Sequence, residues 1–211
     1  MLRRRGLSAR PALEPRPPLI RYERERPGEL IHIDPKKLGR IDGIGHRITG
    51  DRRRRSSKRR AGWEALHVAV DDRSRLADTA ILPDETKQSA CAFLARALAF
   101  FARHGVSVER VMTDNGAACK SRAFRDAPAQ AGVTHKRTRP YTPRTNGKAE
   151  RFIQTSLREW ASASPYQSSD ARTQAMPAWL CDYNSRRPRS ALGGKPPITR
   201  LPKDNLLGNY T

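Results

Sequence analysis

Two stretches decide how the chain is read: Val111-Met112-Thr113-Asp114-Asn115-Gly116 and Thr145-Asn146-Gly147-Lys148-Ala149-Glu150-Arg151-Phe152. The first is a short apolar strand that ends in a carboxylate beside a turn. The second is the start of a helix with a carboxylate in its first turns. Between the two acids lie 35 residues (150 − 114 − 1). A third acid, Asp34, ends another apolar strand, Leu30-Ile31-His32-Ile33. Three carboxylates held by two strand ends and one helix suit a pair of divalent cations, a known device for cutting and joining phosphodiesters. A single Asp at a strand end is more often a solvated turn residue. Three acids in this order, each at an element boundary, carry more weight.

Outward from these acids, hydrophobic periodicity gives a coarse frame. The first strand covers Glu29 to Asp34, with Leu30, His32 and Asp34 on one face and Ile31 and Ile33 on the other. Pro35 donates no ladder bond, so the strand is expected to bend or stop there. His32 is expected to be a hydrogen-bonded strand histidine. Glu64 to Val70 and Leu76 to Leu82 form two strands joined by the polar turn at Asp71-Asp72-Arg73-Ser74-Arg75, which is a hairpin pattern. Asp71 and Asp72 are read as acceptors of turn N–H groups. Thr86 is the expected N-cap of a helix whose Ala90, Phe93, Leu94, Ala97, Leu98 and Phe101 make one apolar face, closed by Gly105.

Glu109 to Asp114 is then a fourth strand, parallel to the first by the crossover rule. A short helix from Ser121 to Gln130, interrupted near Pro128, leads to a fifth, basic strand at Thr134 to Arg139. Pro140 to Gly147 is a loop. A helix from Lys148 to about Ala163 puts Glu150, Ile153 and Leu157 on one face. Asp170 is the expected cap of a last helix through Met176, Leu180 and Tyr183. Trp160 and Trp179 are read as core. The fold class is thus α/β, a mixed five-stranded sheet flanked by helices. The divisions are a basic Pro-rich arm at 1–27, a core at 28–165, and a C-terminal helix with an extended basic tail at 166–211.

The composition points to a polyanion as partner. The formal net charge is +21 and the pI about 11.1, so the surface attracts nucleic acid. Residues 1–28 hold eight arginines and five prolines, an extended arm. Residues 51–60 carry seven cations, which belong on an exposed, DNA-facing loop. Cys91, Cys119 and Cys181 are widely spaced and form no C-x-x-C pair, which fits reduced thiols. There is no secretory signal pattern and no apolar run long enough to span a bilayer. A cytoplasmic, nucleoid-associated protein with no membrane partner is expected.

Four pieces carry a specific resemblance. They are His32-Ile33-Asp34-Pro35-Lys36-Lys37-Leu38-Gly39-Arg40-Ile41, Leu66 to Arg75, Thr113-Asp114-Asn115-Gly116, and Pro140-Tyr141-Thr142-Pro143-Arg144-Thr145-Asn146-Gly147-Lys148-Ala149-Glu150-Arg151-Phe152. Together they resemble the integrase-type catalytic core of bacterial insertion-sequence transposases, a retroviral-integrase-like superfamily. Tyr183 to Pro197 resembles that family's C-terminal segment. The resemblance implies an RNase H-like fold and an Asp, Asp, Glu triad at Asp34, Asp114 and Glu150 that binds two magnesium or manganese ions. It implies metal-dependent cleavage and 3′-hydroxyl transfer between element ends and target DNA, by a homo-oligomer. Lys36, Lys37, Arg40, Tyr141, Arg144, Asn146, Lys148 and Arg151 are the expected DNA contacts, with Arg158 a further surface cation on the same helix. The family usually carries a helix-turn-helix before the core. Residues 1–28 leave no room for one, which gives the expectation of a truncated copy. Two alternatives stay open: a non-catalytic DNA-binding or regulatory fragment, and an RNase H-like nuclease.

Overall fold

A computed structural model describes residues 22–41, 62–138 and 146–202. The basic arm up to residue 21, the cation run at 51–60, the loop at 139–145 with Tyr141 and Arg144, and the tail after 202 lie outside the described residues.

Five strands form one sheet: β1 (Ile31–Gly39), β2 (Trp63–Asp71), β3 (Ala77–Leu82), β4 (Arg110–Thr113) and β5 (Thr134–Arg137), in the order β3-β2-β1-β4-β5. The β1–β2 and β2–β3 pairs are antiparallel, and β1–β4 and β4–β5 are parallel. The β2–β3 hairpin turns on Asp71, whose Oδ2 accepts from the Ser74 N–H at 2.6 Å and the Ser74 hydroxyl at 2.7 Å.

The helices are α1 (Lys87–Arg103), α2 (Ala117–Lys120), α3 (Arg122–Gln130), α4 (Gly147–Ser156) and α5 (Ser169–Ser185). Thr86 caps α1, accepting from the Ser89 N–H. Strand alternation divides the apolar residues between two cores, one on each face of the sheet. Ile31, Ile33, Ala69 and Val111 meet Phe93, Leu94, Phe101 and Phe124 from α1 and α3. On the other face Leu66, Val68 and Val70 meet Phe152 and Ile153 of α4 and Met176, Leu180 and Tyr183 of α5. The last helix is therefore part of the same packed body as the sheet. Gly28 begins the framework: its φ is +87°, and a Cβ there would sit 2.0 Å from the Ser107 carbonyl oxygen, so only glycine fits.

Four local expectations are corrected. Strand β1 continues through Pro35 to Gly39. Its ladder with β4 covers Ile31 and His32, so at Pro35 one side of β1 is an edge, where a missing donor is tolerated. Helix α3 runs unbroken across Pro128, which falls in its last turns with its ring in the core. The α4 helix ends at Ser156 and passes into a π-helical turn, Leu157–Ala161, that carries Trp160 inward. There the indole N–H donates to the Arg172 carbonyl at 2.9 Å. The cap of α5 is Ser168, which accepts from the Ala171 N–H, and Asp170 lies within the first turn. Among the described residues no helix is long and apolar enough to cross a membrane.

Candidate active site

In the parallel ladder His32 stands level with Met112. The ladder stops there: Asp34 lies two residues further along β1, and Asp114 two residues past Met112. Asp114 lies just past the end of β4, where the next turn orients it. Its Oδ1 accepts from the Gly116 N–H at 2.9 Å. A Cβ on Gly116 would lie 3.0 Å from that oxygen, so glycine keeps the carboxylate clear. Asn115 Nδ2 donates to the Thr138 carbonyl at 2.8 Å and ties the turn to the end of β5.

Glu150 is exposed in the first turn of α4, where the helix dipole favours an anion. Its charge is felt at Asp34. Burial, then Asp114 and then Glu150 push the Asp34 carboxyl from its ordinary 3.8 up to about 7, with Lys36 opposing and Glu85 adding to the rise. The charges of Asp114 and Glu150 thus both act on Asp34. The structure does not close the three acids into a ligand set: among the described residues no three His, Cys, Asp or Glu side chains are grouped tightly enough to hold a metal ion. Three like charges resist closure without a counter-ion. The donors are all carboxylate oxygens, one partly buried beside two other anions, which is the chemistry a hard divalent cation fits.

The start of α4 is fastened to β1 by a buried polar chain. Asn146 and His32 are both buried, and Asn146 Oδ1 faces His32 Nδ1 at 3.1 Å. The other ring nitrogen, Nε2, faces Asp72 Oδ1 at 2.8 Å. Asp72 also takes the Lys148 ammonium and, at 2.7 Å, the backbone N–H of Arg24. Lys148 Nζ donates to the Tyr22 carbonyl at 3.0 Å as well. Burial acts to raise the Asp72 carboxyl, but the bonds from His32, Lys148 and Arg24 outweigh it and hold the group below the usual carboxylate range.

Of the expected DNA contacts that are described, Lys36, Lys37, Arg40 and Arg151 are exposed. Lys37 pairs with Glu85 at 3.6 Å. Asn146 is instead buried, and Lys148 is half-buried on Asp72. Sequence reading missed Glu85 as a neighbour of Asp34 and Asp72 as a hub. Both looked like local turn or helix-start acids, and no spacing rule connects either to residues so far along the chain.

Two models described as "Integrase core domain" match this chain, over residues 24–143 and 131–197. A putative transposase InsD for insertion element IS2E of Escherichia coli is 30% identical over 86 residues, 41% of this chain and 39% of the relative. An uncharacterized protein of Caenorhabditis elegans is 30% identical over 132 residues, 63% of this chain and 10% of that protein. The chain therefore spans well under half the length of these relatives. Among solved structures, the simian T-cell lymphotropic virus intasome matches with a TM-score of 0.65 and 19% identity over 90% of this chain and 63% of that one. The catalytic core domain of HTLV-2 integrase, in complex with magnesium in a dimeric form, matches with a TM-score of 0.57 and 18% identity over 84% of this chain and 97% of that one. At these identities the structural matches establish the fold, which is the integrase-core, RNase H-like arrangement.

Proposed function

The chain belongs to the integrase core domain family, and from that premise we propose that it is the catalytic core of a transposase-type DNA strand-transfer protein. The reaction is metal-dependent phosphodiester cleavage followed by transfer of a 3′-hydroxyl into target DNA. The observation that supports this reading is that burial, Asp114 and Glu150 together drive the Asp34 carboxyl up, with Asp34 on β1 and Asp114 just past its parallel neighbour β4.

Asp34, Asp114 and Glu150 would hold two magnesium or manganese ions. When bound, such ions supply Lewis-acid stabilisation of charge on phosphate oxygens. Asp34 and Asp114 give a rigid ledge, because strand backbone and the Gly116 N–H fix them. Glu150 enters from a helix and completes the set. The exposed Lys36, Lys37, Arg40 and Arg151 would hold the DNA backbone, and phosphate contacts of this kind set register more than sequence choice. Tyr141 and Arg144, just before the Glu150 helix in sequence, complete the expected set, while Asn146 and Lys148 are engaged with His32 and Asp72. Transposition pairs two DNA ends, so the working form would be a homo-oligomer.

Labelled DNA ends mixed with plasmid in magnesium or manganese test this. Joined product should form, vanish with chelator, and fall at least about a hundredfold in Asp114→Asn. Product of equal yield from Asp114→Asn would overturn the assignment. A second reading is DNA binding without catalysis, which the net charge of +21 supports by itself. It would show as salt-sensitive binding with no metal-dependent product.

A further inference from the structure

We propose that Asp72, acting with His32 and Lys148, is a positioning device for Glu150: it locks the first turn of α4 to β1 and so sets how Glu150 stands to Asp34 and Asp114. The proposal rests on the three-acid reading above.

Asp72 is 1% exposed. A carboxylate buried so completely is tolerated only when donors surround it. Here the donors come from three separate parts of the chain: His32 from β1, Lys148 from α4, and the Arg24 N–H from the segment that enters the core. None of them is one of the three site acids. Two of them stand two residues before a site acid. His32 precedes Asp34 on the same strand face, and Lys148 precedes Glu150 in the same helical turn. Asp72 is therefore a single fixed point shared by both backbone stretches that carry these acids.

The geometry of a helix turns that anchor into a direction. Residues two apart on an α-helix point about 200° apart around its axis. With Lys148 held inward on Asp72, rotation of the first turn of α4 is fixed, and Glu150 is aimed away from the anchor. Asn146, at the N-cap, adds a second hold: its side chain faces His32 rather than capping its own helix. The first turn of α4 is thereby tied twice to the strand that carries Asp34. The Tyr22 carbonyl, which also takes Lys148, extends the lock to the entering segment.

The test compares the wild-type chain with Asp72→Asn, Lys148→Met, Lys148→Arg and Asp114→Asn. Two quantities are read: manganese affinity by calorimetry, and amide hydrogen exchange at residues 151–153. Lys148→Met removes the helix side of the lock without touching the apolar cores, so it remains informative if Asp72→Asn fails to fold. Asp72→Asn and Lys148→Met should weaken manganese binding by about tenfold to a hundredfold and speed exchange in the first turns of α4. Lys148→Arg should restore both. Wild-type affinity and wild-type exchange in Asp72→Asn and Lys148→Met would overturn the proposal. So would a Lys148→Met variant that keeps manganese affinity but loses about one unit of salt slope in DNA binding, since Lys148 would then be a phosphate contact. If the wild type shows no manganese binding that depends on Asp114, the three-acid reading itself fails, and the exchange measurement alone decides whether the lock holds α4.

Discussion

Asp34 lives in conflict with its surroundings, and that conflict is measurable. Its carboxyl is pushed up to about 7 in the folded chain, while in the unfolded chain it titrates near its ordinary value. Between these two pH values the folded state holds more protons than the unfolded one, so stability falls as pH rises through that window and then levels off. Asp34→Asn removes this penalty. In chelator at pH 8 the variant should melt several degrees above the wild type, from a relief of about 1–2 kcal/mol after allowance for solvent screening. At pH 4 the two should melt together. Equal melting temperatures at both pH values would show that the acids do not strain one another. The three acids stood out in the sequence because each was expected at an element boundary, although Asp34 lies inside β1. Asp72 was legible only as a turn residue. Asp71 does fill that role, and Asp72 turns instead toward His32, a partner 40 positions away.

Among the elements, periodicity predicted all five strands, and for β1 and β2 also how their residues divide between the two faces. The signal failed where proline was read locally. Pro35 looked like a strand end, but the strand has no β4 partner at that point. Pro128 looked like a helix break, but it falls in the final turns. In both places tertiary position decides what a missing donor costs. Nothing in the sequence marked the clamp between α5 and the edge strand β3. Asn184 accepts from the Ala77 N–H at 3.0 Å and donates to the Ala77 carbonyl at 2.8 Å, pairing with the strand as another backbone would. Asn184→Ala should leave both backbone groups without these bonds and cost about 2–4 kcal/mol, seen as a lower urea midpoint at unchanged slope. A shift below about 0.5 kcal/mol would mean that this clamp contributes little to docking α5.

For the whole molecule, charge and site point to one partner. A chain of net charge +21 with exposed cations beside three acids would bind DNA chiefly through its phosphates. If about 6–10 phosphates are neutralised, affinity should fall about 10³–10⁵-fold between 50 and 200 mM salt in a filter or anisotropy assay. A flat salt response would exclude a phosphate-led interface. The charge was open to reading from composition alone, and the family from its motifs. The degree of closure of the three acids was not, because it depends on where α4 lies on the sheet rather than on the spacing of 35 residues.

In the proposed reaction Asp34, Asp114 and Glu150 converge on divalent cations. Crystals grown with manganese test this most directly, through the anomalous signal of the metal. Strong peaks should appear bounded by the carboxylates of these three residues and be lost in Asp114→Asn. Manganese held elsewhere, or peaks at this edge that survive Asp114→Asn, would contradict it.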